Sequence, residues 1–234
     1  MHGFDLLGCR VRRRDGARLQ EAAGALVNLR LLLAQQRKPT YYVLYHDRFD
    51  ALCHEYGPNS PQVEAELDAF LTVLERIFLS RVEGNGDTLV LLTADHGQAE
   101  THPARSVYLN TDLGVERFLK TDRQGRILVP AGSPRDAFLY VRDEMLDEAE
   151  DYLARRLAGR AVVYRTADLI AAGFFGAAPV SETFLGRAGN LVVLPYRGEA
   201  VWWYEKGRFE QKYFGHHGGL TPQEMEIPLL GWVV

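Results

Sequence analysis

The stretch from Thr88 to Gln98 constrains this chain most, because TLVLLT is an unbroken apolar run that stops abruptly in ADHGQ. A short run rich in Leu and Val, with no polar residue alternating through it, reads as a strand buried on both faces, the kind parallel sheets use. Its end places Asp95 and His96 side by side, and Gly97 then lets the backbone bend sharply. In open α/β sheets the C-terminal ends of strands are where loops and helix starts converge and ligands bind.

Apolar runs and helical periodicities alternate along the rest of the chain. YYVLY, residues 41–45, reads as a buried strand delivering the polar segment HDRFDALCHEYGPNS. Ser60 and Pro61 stand where an N-cap and a first helical residue belong, and a helix is expected from Pro61 to Arg81. Its apolar face would be Val63, Leu67, Phe70, Leu71, Leu74, Ile77 and Phe78. Leu19 to Leu33 has the spacing of an amphipathic helix. AFLYV, an acidic helix from Glu144 to Leu157, AVVYR and a short helix from Thr166 to Ala172 come next, then LVVLP and AVWWYE as strands meeting in a hairpin at Arg197-Gly198. Thr221 and Pro222 open a short helix, and Ile227 to Leu230 begin a closing strand. The pattern predicts one α/β domain over residues 1–234, with a central, mostly parallel sheet flanked by helices.

Composition excludes several classes. The chain has 234 residues, 47% of them hydrophobic, enough for a sizeable core. Its net charge is -4, with Lys and Arg scattered, so there is no basic stripe of the kind nucleic-acid binding needs. The run Arg10 to Arg14 reads as a solvated loop or strand end. Cys9 and Cys53 are too few for a disulfide framework. No stretch approaches the ~18 apolar residues of a membrane span, and no signal-peptide pattern opens the chain, so a cytoplasmic location is expected.

Three constellations carry chemistry. Asp50 and His54, four residues apart, share one face of a helix with Cβ atoms roughly 6 Å apart, a workable spacing for two ligands of one divalent metal. Asp95 and His96 can reach one metal only on irregular backbone, which the adjoining glycine favours. His216 and His217 precede two glycines, a turn suited to metal binding. Taken singly, each is also what a capping Asp and a surface His would look like. Together, each at the end of a hydrophobic element, they point to a metal site. Cys53 reads as packing. Arg135, in a Gly-Ser-Pro-Arg turn, either reaches a substrate phosphate or pairs with a surface carboxylate such as Asp136. Of Trp202 and Trp203, one should face the core and the other outward.

TADHGQ, FDALCHEYGPNS and FGHHGGLTPQEMEIPLL, in that family's order from about Tyr41 to the C-terminus, resemble the type I phosphodiesterase and nucleotide pyrophosphatase branch of the alkaline phosphatase superfamily. The resemblance implies an alkaline phosphatase-like fold and two divalent ions, zinc above all. Asp50, His54 and His217 would hold one, and Asp95 and His96 would supply part of the second; His216 would be a neighbour. It also implies in-line attack on phosphorus by a Thr or Ser, helped by two cations that lower its pKa and neutralise developing charge. Each imidazole should have its second nitrogen oriented by an acceptor, for which Asp47, Glu100 and His102 are the neighbours in sequence.

The family's opening strand ending in Asp-Gly, and the Thr turn after it, have no counterpart here. Asp15-Gly16 comes after arginines, and no Ser or Thr precedes Thr40. The chain therefore reads as a C-terminal portion, with the first metal site complete, the second partial, the nucleophile missing and little activity alone. Expected partners are a small phosphoester of nucleotide type, and either the N-terminal segment or a second copy. Other superfamily chemistries stay open, namely phosphonate, monoester or sulfate hydrolysis and phosphomutase activity. So does a non-catalytic metal-binding or assembly domain.

Overall fold

A computed structural model describes residues 22–82, 87–177 and 179–234. Cys9, Arg10 to Arg14, Asp15-Gly16 and the first residues of the helix expected from Leu19 lie outside the described residues. The helices are α1 (Ala22–Gln35), α2 (Arg48–Tyr56), α3 (Pro61–Val73), α4 (Leu146–Arg156), α5 (Thr166–Ala171), α6 (Glu182–Ala188) and α7 (Pro222–Met225). The strands are β1 (Leu89–Thr93), β2 (Ala99–Glu100), β3 (Val107–Tyr108), β4 (Ala131–Ser133), β5 (Asp136–Leu139), β6 (Ala161–Arg165), β7 (Leu191–Pro195), β8 (Val201–Trp202), β9 (Gly215–His216) and β10 (Leu229–Val233). The chain divides into two contact units. One runs up to Leu52 and adds Ser60–Ala94 and Pro228–Val234; the other comprises Cys53–Asn59 and Asp95–Ile227.

In the first unit, Ser60 caps α3 by accepting the Val63 N–H, and Pro61 fills the first turn, where a missing donor costs nothing. The helix runs on to Arg81 as expected, with a change of gauge. Leu74–Phe78 form a π turn and Leu79–Arg81 a 3-10 turn. Leu74 and Phe78 are buried with Leu26 of α1, against Val90, Leu92 and Trp232, whereas Leu67 and Leu71, expected on the same face, are exposed.

β1 corrects two expectations. It pairs antiparallel with β10, Leu89 opposite Val233 and Thr93 opposite Leu229, and among the described residues it is half-buried on one face and exposed on the other. Val90 and Leu92 turn inward, while Leu89 and Leu91 are 64% and 60% exposed. An apolar run says nothing of what covers its second face, and among the described residues helices cover one. YYVLY is also not a buried strand. It carries a single bridge residue, Tyr42, and Tyr41 and Tyr45 are 67% and 70% exposed.

In the second unit a four-stranded sheet has the order β4-β5-β7-β6, every pair antiparallel. β7 is the strand buried on both faces. Leu191 and Val193 join α4 residues Ala149 and Leu153 in the main core, and Val192 and Leu194 pack with Leu169 of α5 on the other side. Two small pairs complete the topology, β2 with β9 antiparallel and β3 with β8 parallel. The mixed α/β class holds. The sheet expected to be mostly parallel is, among the described residues, antiparallel in every pairing except β3–β8.

The expected β7–β8 hairpin is absent among these pairings. A turn at Tyr196–Glu199 exists, with Gly198 at φ 78°, but β8 leaves to pair with β3. β8 ends at Trp202, so strand alternation does not carry through to Trp203, and both tryptophans are 8% exposed. No helix among the described residues is long and apolar enough to cross a membrane.

Candidate metal centre

The β2–β9 pairing is what gathers the histidines. Ala99 lies opposite His216 and Glu100 opposite Gly215, so the segment just after His96 runs beside the one leading into His217. The last turn of α2 is stitched to the same place, with the Phe214 N–H donating to the His54 carbonyl at 2.8 Å. A Cβ on Gly215 would stand 2.2 Å from the Cys53 carbonyl oxygen, so this approach requires glycine. Cys53 is buried beneath it, in the packing role expected. Gly57, at φ 88°, ends α2 with its N–H on the Cys53 carbonyl, a left-handed cap.

These pairings bring three imidazoles together. The ring of His217 lies 3.6 Å from that of His96, nearly parallel to it, and 5.2 Å from that of His54. His54 Nδ1 is 2.7 Å from the Gly215 carbonyl oxygen, and His96 Nδ1 is 3.0 Å from that of Gly97. A carbonyl only accepts, so Nδ1 is the donor in both rings, which leaves Nε2 as the atom with which the neutral imidazole would ligate a metal. Asp95 Oδ1 is 3.7 Å from His96 Nε2, on the irregular backbone after β1 that two adjacent ligands need. Asp50 lies on α2 one turn before His54, hence on the same helix face, in the stretch of helix that belongs to the first unit. Nitrogen and oxygen donors of this kind fit zinc.

For His54 and His96 the orienting acceptors are therefore the backbone carbonyls of Gly215 and Gly97, in place of the three neighbours expected for that task. Glu100 accepts from Asn59, the His102 ring caps a 3-10 turn at Ala104, and the Asp47 backbone carbonyl accepts the Ala51 N–H. Sequence offers no signal for such acceptors, since every residue has a carbonyl. His216 is buried, and that burial holds its imidazole down to about 4, with the neighbouring His54, Arg135 and His217 further disfavouring a positive charge there. It stays neutral and packs beside the cluster.

Arg135 is wholly buried at 0% exposure, so neither reading of it as a surface or substrate-facing group matches its setting. Its Nε and NH2 groups donate to both oxygens of Glu224 at 2.9 and 2.8 Å, and NH1 donates to the carbonyls of Tyr196 and Glu199. Nearby, the Ser133 hydroxyl contacts both the Asp136 carboxylate and the His217 carbonyl. Burial pushes the Asp136 carboxyl up to about 6, although Ser133 hydrogen bonds pull the other way. The folded chain thus holds this proton more tightly than the unfolded one, whose carboxyl titrates near 3.8, and stability falls as pH rises through that window. Asp136→Asn is expected to add about 2 kcal/mol of stability at neutral pH and nothing below about pH 4, measured by urea titration at both. Equal stability of the two proteins at neutral pH would contradict it.

In solved structures the chain is similar to human ectonucleotide pyrophosphatase / phosphodiesterase 5, with a TM-score of 0.62 at 15% identity over 90% of this chain and 52% of that one. The inactive murine form of that protein, in complex with AMP, gives 0.58 at 17% over 90% and 52%. Phosphonoacetate hydrolase from Sinorhizobium meliloti 1021, in complex with phosphonoformate, gives 0.59 at 21% over 90% and 49%. The chain spans about half the length of these solved relatives. These likenesses show an alkaline phosphatase-like fold. A profile of the type I phosphodiesterase / nucleotide pyrophosphatase family matches residues 10–220, and the chain belongs to that family, which implies divalent metal ions. Curated proteins give no match.

Proposed function

We propose that this chain supplies the metal-holding part of a centre that cleaves phosphodiester or pyrophosphate bonds. In this reading Asp50, His54 and His217 hold one zinc, and Asp95 and His96 supply two ligands to a second. The observation that carries it is the pair His54 and His96, each with Nδ1–H tied to a backbone carbonyl and each beside the His217 ring. Zinc bound here would supply Lewis acidity and charge neutralisation at phosphorus. The chain's own part is positional. Gly97 and Gly215 set the tautomers, Ser133 holds the His217 peptide, and neutral His216 fills the space behind. The AMP bound by the murine relative supports a nucleotide-type substrate.

The reading gives no residue of this chain the nucleophile's role. No Ser or Thr precedes Thr40, and Thr40 is exposed and hydrogen-bonded to Gln36 and the Lys38 carbonyl. Zinc titration of chelator-stripped protein, with elemental analysis and a diester assay, should find one tight zinc per chain, a second bound weakly and very slow turnover. Two tight zincs or brisk hydrolysis would overturn the half-site reading, and no zinc at all would overturn the metal reading. The likeness to a phosphonoacetate hydrolase favours phosphonate cleavage as a second reading, separated by assaying phosphonates beside diesters.

A further inference from the structure

Glu224 lies outside the histidine cluster, yet both segments that carry His96 and His217 end on it. Its carboxylate accepts the Gly219 N–H at 2.9 Å and the Thr221 N–H and hydroxyl at 3.4 and 2.5 Å, closing the turn just after His217. Its backbone carbonyl accepts the Gly97 N–H at 2.8 Å, holding the segment just after His96. That second approach is so close that a Cβ on Gly97 would lie 2.1 Å from the Gln223 carbonyl oxygen. Both carboxylate oxygens are also taken by Arg135, which itself anchors on the carbonyls of Tyr196 and Glu199. At 2% exposure, with burial raising its carboxyl and the hydrogen bonds from Arg135 and Thr221 outweighing that, Glu224 stays ionised and fixed.

We propose that Glu224 is a positioning residue of the metal centre, one that sets the distance between the His96 loop and the His217 turn, with Arg135 as its anchor. The carboxylate grips the turn after His217, and the backbone of the same residue, which the carboxylate holds in place, grips the segment after His96. The carboxylate's grip is the part a substitution can remove while the ion pair is neutralised at the same time, so that no charge is left buried alone. The inference rests on the metal reading above.

The test compares zinc affinity, by competition with a chromophoric chelator, with the thermal midpoint of each apo protein. Arg135→Met with Glu224→Ala removes the clamp without leaving a buried charge, and is expected to weaken zinc binding by about 10- to 100-fold. Arg135→Met with Glu224→Gln keeps a side-chain oxygen for the Gly219 N–H, and is expected to recover affinity to within about threefold of wild type. Gly97→Ala leaves the ion pair in place and forces the two segments apart; it carries the test should either double variant fail to fold, with the same loss expected. Equal affinity of the alanine double and wild type overturns the positioning role, as does a loss that merely tracks the thermal midpoint across all three variants. Wild-type protein that takes up no zinc sinks the metal reading and this inference with it; zinc bound by wild type and unchanged in the variants sinks the inference alone.

Discussion

His217→Ala is expected to abolish tight zinc binding, and His54→Ala to weaken it by at least about a hundredfold, on the argument that a structural zinc site distributes roughly 10–16 kcal/mol over about four ligands. The His217 ring stands next to both other imidazoles, 3.6 Å from His96 and 5.2 Å from His54, so its removal empties the middle of the cluster. His54 has its ring locked by the Gly215 carbonyl, and alanine there also loses that hydrogen bond. His216→Gln separates packing from ligation, since that buried ring packs beside the cluster and is assigned no metal, so any loss there should fall well short of that at His217. Isothermal titration with zinc, beside the circular dichroism of each apo protein, checks all three. A His217→Ala protein that binds zinc within threefold of wild type would remove His217 from the ligand set.

Arg135→Ala is expected to cost about 3–5 kcal/mol. The guanidinium is fully buried, and its loss strands the Glu224 carboxylate and withdraws donors from the carbonyls of Tyr196 and Glu199. For a chain of this length that amounts to a fall in thermal midpoint on the order of ten degrees. The contrast is Arg165, whose contacts to Asp147 and Glu150 lie at the surface, where such pairs contribute little. Differential scanning calorimetry of the two alanine variants would decide the point, and a midpoint for Arg135→Ala within two degrees of wild type would contradict it.

The two strands that look most alike in sequence show what could be read and what could not. TLVLLT and LVVLP are both continuous apolar runs, and both form strands, β1 and β7. Among the described residues only β7 of the two has helices on both faces and β1 has one face covered, because cover is supplied by residues far away in sequence. The direction of pairing escapes local reading for the same reason. Helix starts are more legible because their chemistry is local. Ser60-Pro61 opens α3 and Thr221-Pro222 opens α7, and the Thr-x-x-Glu spacing of a capping box at Thr221 and Glu224 is visible in the sequence. That spacing is the available signal for Glu224, although nothing local says that the same carboxylate meets Arg135.

At the site, the residue types that bind metal announce themselves by chemistry and by the glycines beside them. His96 precedes Gly97 and His217 precedes Gly218, and both glycines permit close approaches. The groups that orient them do not announce themselves. The Gly215 carbonyl reaches the His54 ring only because the fold brings residues 161 positions apart together, and the Gly97 carbonyl, although adjacent to His96, is a group that every residue carries. Arg135 illustrates the converse, a residue whose type suggests phosphate and whose burial gives it a carboxylate instead.

The π turn at Leu74–Phe78 bears on how this chain should be lined up with others. A single π turn inside a helix absorbs one additional residue while the flanking turns keep their own packing. A homologue one residue shorter between α3 and Arg81 could therefore make the same flanking contacts on an uninterrupted helix. An alignment that opens a one-residue gap within Leu74–Phe78 would keep Val63 on one side, and Val90 and Leu92 on the other, matched to their structural equivalents. One that forbids the gap would shift one flank out of step.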